Sequence, residues 1–129
     1  MDKELANQYL QFKFHEFNAE KFDNLLPNCN IKVYSFKSNR WGTYAFLDRE
    51  IRINLYGRDF TSDVVEHTLL HEMTHAWCHF TKNGREGHTL RFWRKLKKVI
   101  GYSTYINYYV KTVPTQLSLK VAMETKEYV

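Results

Sequence analysis

Residues 71–75 read His71-Glu72-Met73-Thr74-His75, an H-E-x-x-H pattern inside a segment with helical periodicity. Residues four apart lie on one face of an α-helix, one turn above the other, so both imidazoles can reach a single metal ion. Glu72 follows the first ligand and lies beside the pair, placed to take a proton from water. This is the pattern of zinc-assisted peptide hydrolysis. The pattern fixes few positions, so a third ligand decides its weight: a catalytic zinc takes three protein ligands and keeps a fourth position for water.

His88 is the best third ligand. It follows the turn-like Asn83-Gly84-Arg85-Glu86-Gly87 and stands just before a second helical pattern. Glu86 is an alternative carboxylate ligand. His67 and His79 extend the histidine row in steps of four, but eight residues of helix rise about 12 Å, too far for the outer pair to share one ion. His15 falls in an aromatic-rich N-terminal helix and is expected to have no metal role. Thr81 stands where a metzincin would need its last histidine, which excludes that pattern.

The elements that must position these residues follow from periodicity. Residues 3–25 form a helix with two apolar rows, Leu5, Tyr9, Phe12, Glu16 and Ala19 beside Leu10, Phe14, Phe17 and Phe22. Residues 31–36 alternate as a strand. Residues 43–47 and 51–55 form two more, joined by the hairpin loop Asp48-Arg49-Glu50. The last of these would offer an edge to an extended peptide. The H-E-x-x-H helix begins near Ser62-Asp63, with Glu66 completing a capping box, and stops at Asn83-Gly84. A second helix spans about 89–100 and ends at Gly101. Residues 105–110 read as a strand, and Pro114 opens a last helix running to about residue 127.

The chain has 129 residues and 43% hydrophobic content, enough for the core of one domain, taken as 1–129. No apolar run is long enough to span a bilayer, and Met1-Asp2-Lys3-Glu4 lacks a signal-peptide layout, so a cytoplasmic location and no membrane partner are expected. Cys29 and Cys78 form no C-x-x-C motif and are expected to be reduced and buried. The formal net charge is +5. Arg91, Arg94, Lys95, Lys97 and Lys98 carry much of the surplus and suit an anionic partner such as DNA. A solvated helix face accounts for the same residues.

The order of motifs resembles the SprT-like zinc metalloprotease domain. The matching segments are His15-Glu16-Phe17-Asn18, residues 22–27, Trp41-Gly42-Thr43-Tyr44, Ile51-Arg52-Ile53-Asn54, residues 68–76, and Gly87-His88 with Phe92 four places on. They span roughly residues 12–100. Thr89 stands where the family usually has a second glycine after the histidine, and the cysteine zinc ribbon of many bacterial members is absent. Small H-E-x-x-H peptidases with an aromatic-rich helix after the third histidine are similar too.

The resemblance implies an α+β, zincin-like fold. It has an N-terminal helix, a three- to four-stranded, mainly antiparallel sheet, the H-E-x-x-H helix and a following basic helix. It further implies one Zn²⁺ on His71, His75 and His88, Glu72 as general base, and a protein or peptide substrate. Eukaryotic relatives cleave proteins crosslinked to DNA, which makes DNA-associated proteins the expected substrates. The competing reading is a nucleic-acid-binding protein whose zinc only braces the fold.

Overall fold

The computed structural model describes residues 2–82 and 87–124. Asp2 starts the first helix, α1 (Lys3–Lys21), by accepting a hydrogen bond from the Leu5 N–H at 3.0 Å. The helix ends before residue 25 because Asp23 and Asn24 adopt φ of 54° and 57°, which short polar side chains tolerate. Buried Asn18 then holds the returning chain, donating to Leu26 O at 2.9 Å and accepting from Leu26 N at 3.1 Å. The core stripe of α1 is narrower than the two rows read from the sequence. Leu10, Phe14 and Phe17 are buried, whereas Leu5 and Phe12 are 51% and 62% exposed.

Three strands follow, β1 (Asn30–Tyr34), β2 (Gly42–Ala45) and β3 (Glu50–Asn54), in the order β1-β3-β2. β2 and β3 form the expected antiparallel hairpin, with Tyr44 opposite Ile51. β1 runs parallel to β3, with Ile31 opposite Ile51 and Val33 opposite Ile53. The sheet is therefore mixed rather than mainly antiparallel. Ile31, Val33, Ile51 and Ile53 are buried, while Lys32 and Arg52 alternate outward and pair with Glu50. β3 is paired on both sides, so the edge expected at residues 51–55 does not exist. The outer side of β1 meets α1 instead. Gln11 Oε1 accepts from Ile31 N at 3.1 Å, and Asn7 Oδ1 accepts from Val33 N at 2.9 Å. β2 is the remaining edge of the sheet.

α2 (Asp63–Lys82) follows the sheet. Ser62 caps it, its Oγ accepting from Val65 N at 3.4 Å, and Asp63 and Glu66 favour the positive end of the helix dipole. Val65, Leu69, Leu70, Met73 and Ala76 are buried. The predicted stop at Asn83-Gly84, and Glu86, lie outside the described residues.

The chain divides into two compact units, Met1–Arg85 and Glu86–Val129. The second contains α3 (Leu90–Ile100), α4 (Tyr102–Ile106), a π-helical segment (Asn107–Thr112) and α5 (Gln116–Glu124). Thr89 caps α3 by accepting from Phe92 N at 3.3 Å, and Gly101 ends it with φ of 90°.

The strand expected at 105–110 is helical. Tyr105 and Tyr109, four apart, both turn their rings edge-on to Trp93, at centroid distances of 6.2 and 5.3 Å. That packing requires a helical period and overrides the β-propensity of an aromatic run. Ser118 locks the segment to α5: its Oγ donates to Tyr109 O at 2.8 Å, and Tyr105 Oη donates to Ser118 O at 2.9 Å. Thr115 rather than Pro114 caps α5, accepting from Ser118 N at 3.0 Å. The helix end expected near residue 127 lies outside the described residues. Among those described, five α-helices and a three-stranded sheet make an α+β architecture, and no helix is long and apolar enough to cross a membrane.

Candidate metal centre

His71 and His75 lie one turn apart on α2, half-buried, with ring centroids 5.1 Å apart. Side chains at this spacing project from one face and can converge on one ion. Between them in sequence, Glu72 turns inward and is only 6% exposed. Burial pushes its carboxyl up to about 8, against a smaller opposing pull from the Arg40 guanidinium.

Asn54 fixes that approach of Arg40. Its side chain is buried and fully used. Nδ2 donates to Arg40 O at 3.0 Å and to Phe36 O at 2.8 Å, while Oδ1 accepts from Phe36 N and Tyr56 N. The Asn54 backbone N–H donates to Trp41 O at 2.8 Å. The chain leading into β2 is thereby held against β3.

The outer histidines of the row have other contacts. His67 is buried edge-on to Trp41 at 5.9 Å, and desolvation pushes its pKa down to about 4. Trp41 in turn carries the Arg58 guanidinium 4.9 Å above its ring. His79 shares a 2.7 Å hydrogen bond with the Tyr44 hydroxyl and lies against Phe46 and Phe80. Burial pushes the Tyr44 hydroxyl up to about 12, so it stays protonated. Neither residue is among the histidines that could share a metal ion. His15 is an exposed residue of α1, edge-on to Phe14.

In the second unit, His88 stacks on Trp93 at 5.2 Å and meets Phe92 edge-on at 4.8 Å, immediately before the Thr89 cap. Desolvation lowers its pKa, which favours the neutral imidazole whose unprotonated nitrogen can bind a metal. Thr89, where the family usually has glycine, leaves the histidine in place and begins the helix behind it. Among the described residues, the candidate metal ligands are His71 and His75 of the first unit and His88 of the second. The donor set fits zinc, which takes neutral imidazole readily.

The basic residues of α3 are unequal. Arg94 makes a two-pronged ion pair with Glu124, at 3.0 and 2.7 Å, and Lys97 Nζ donates to Val121 O at 2.8 Å. Both therefore brace α5. Lys98 is exposed, and Arg91 and Lys95 are half-buried. Cys29 and Cys78 are buried thiols not joined in a disulfide; burial pushes the Cys29 thiol up to about 11.

Sequence reasoning missed Trp41 and Arg40 as neighbours of this helix face, and Asn54 as the residue that holds their backbone. A polar residue near the end of an alternating strand was the available signal for Asn54, and a glycine just before a strand pattern was the signal at Gly42.

An α+β chain with H-E-x-x-H on a helix and a third histidine opening a later helix belongs to the metalloprotease-like class of zincin type. The SprT-like family model matches residues 10–114, and the chain belongs to the SprT-like family. Searches of curated proteins and of solved structures returned no match.

Proposed function

We propose that the protein is a zinc-dependent endopeptidase in which His71, His75 and His88 hold one Zn²⁺ and Glu72 is the general base. Family membership and the ligand group support this reading, and the observation that carries it is the buried Glu72 beside the His71–His75 pair. Zinc bound there supplies Lewis acidity, polarising a peptide carbonyl and making water ionisable near neutral pH. Glu72 accepts the proton of the attacking water and returns it to the leaving nitrogen. Its burial raises its basicity toward the working pH, where general bases are most effective, while a cation on the adjacent imidazoles draws its pKa back down.

An extended peptide would add to the edge of β2, since β3 is paired on both sides and α1 side chains occupy β1. We place the enzyme in the cytoplasm and assign it DNA-associated protein substrates, with the basic residues of α3, Arg91, Arg94, Lys95, Lys97 and Lys98, as the cations that meet phosphate. A DNA-binding protein with a purely structural zinc is disfavoured, because such sites are closed by four protein ligands.

The test is metal content by mass spectrometry on protein purified without added metal. It is paired with cleavage of an unfolded protein substrate, with and without DNA. Near-equimolar zinc and cleavage that chelation abolishes are expected. Absence of zinc after resupply would sink the reading. Salt-dependent DNA binding without proteolysis would favour the structural-zinc alternative.

A further inference from the structure

Gly42 opens β2 directly against α2. Its φ lies outside the left-handed region, so the backbone itself would accept another residue; the constraint is space. A Cβ at this position would lie 2.9 Å from Thr68 Cγ2, 3.0 Å from Arg52 O and 3.4 Å from Glu72 Cγ. Non-bonded carbon atoms pack best at about 3.5–4.0 Å, so the nearest of these contacts forces a shift.

Thr68 and Glu72 are four apart and share the face of α2 that meets the strand. Thr68 cannot easily turn its methyl away. It is 4% exposed, and its Oγ1 donates to Val64 O at 2.7 Å, which fixes the rotamer. Backbone hydrogen bonds hold the strand itself, Asn54 N donating to Trp41 O at 2.8 Å. Any side chain at 42 must therefore part the strand from the helix.

We propose that Gly42 is a positioning residue for Glu72. Its lack of a side chain lets β2 close on α2, so that the strand backbone becomes the wall that buries the Glu72 stem and aims its carboxylate. The inference rests on Glu72 being the base and assigns it a support outside its own helix.

The test compares Gly42→Ala, Thr68→Ser and the double variant. Serine keeps the hydroxyl that bonds Val64 O and removes the methyl that would collide. Two quantities are read: the ¹³C resonance of the Glu72 carboxyl in metal-free protein, and kcat and KM of the zinc-loaded enzyme. Gly42→Ala is expected to retain a cooperative melt and its zinc, to shift the resonance, and to lose roughly 10–100-fold in kcat at unchanged KM, as small misplacements of catalytic groups do. Adding Thr68→Ser is expected to return both readouts part of the way, because the close approach to the Arg52 carbonyl remains.

A folded Gly42→Ala with the wild-type resonance and kcat overturns the proposal, as does a double variant no different from Gly42→Ala. Should Gly42→Ala fail to fold, the double variant is compared with Thr68→Ser. Failure of the double variant too would assign Gly42 to stability alone and overturn the proposal. If no protein is cleaved even by the wild type, the endopeptidase reading fails while the resonance still decides the positioning role.

Discussion

α2 and α3 are adjacent helices in sequence and opposite in design. α2 buries residues over much of its circumference, including Glu72, His67 and Thr74, and leaves His71 and His75 half-buried. α3 buries one stripe, Phe92, Trp93, Leu96 and Val99, and leaves its charged residues exposed or half-buried. Burial changes what a side chain is chemically. Glu72 is moved toward neutral pH by desolvation, whereas the two-pronged ion pair of Arg94 with Glu124 is partly open to water, which screens it. Reactivity is concentrated where polar groups are costly to place, and charge count alone does not locate it.

The largest effect that would break this contrast is expected at Glu72. Glu72→Gln preserves shape and removes the base, so zinc content should stay and cleavage should fall by roughly 10²–10⁴-fold. Retained hydrolysis in a zinc-replete variant would remove Glu72 from the chemistry. Next come the histidines. His88→Ala should weaken zinc binding at least about 100-fold, more than loss of an outer-shell partner does, whereas His79→Ala should keep the zinc and forfeit the Tyr44 hydrogen bond and the Phe46 and Phe80 ring contacts, on the order of 1–2 kcal/mol of stability. Competition with a chromophoric chelator reads the first, and thermal melting the second. The reverse ranking would show that the ligand set is misassigned.

A third effect concerns pH. The folded-state pKa of His67 is depressed to about 4 from an ordinary value of 6.5. The unfolded chain therefore binds the extra proton first as pH falls, and stability should drop between about 6.5 and 4, by at most on the order of 3 kcal/mol. His67→Phe should flatten that part of a metal-free stability profile; an unchanged slope would assign the acid sensitivity elsewhere. The smallest effect belongs to α3. Replacing Arg91, Lys95 and Lys98 with Gln should reduce the salt slope of DNA binding by roughly 0.9 for each phosphate no longer neutralised. Arg94→Gln should instead loosen α5 by less than about 1 kcal/mol. DNA affinity and slope unchanged in the triple variant would leave α3 a solvated face.

Much of this was legible in the sequence because it rests on local periodicity. The β2–β3 hairpin, the Ser62 start of α2 and the Gly101 end of α3 all follow from residue spacing and cap chemistry. The parallel pairing of β1 with β3 was not legible, since alternation within a strand says nothing about its neighbour's direction. Residues 105–110 misled for a related reason: all but Asn107 are aromatic or β-branched and favour a strand, yet Tyr105 and Tyr109 are spaced to share Trp93. At the metal centre, ligand types and spacing were readable. The wall around Glu72 was not, because Arg40 and Gly42 reach it through tertiary packing, on a segment that Asn54 holds.

The amides of Asn7 and Gln11 on the outer side of β1 bear on the protein's behaviour at high concentration. A free strand edge is a template on which a second chain can nucleate, and one of the two edges of this sheet has the outward N–H groups of Ile31 and Val33 answered from within the same molecule. Two neutral side chains on α1 thus act as guards against aggregation, a task surface charge performs in many other sheets. Any redesign of α1 for solubility or stability has to leave both amides in place.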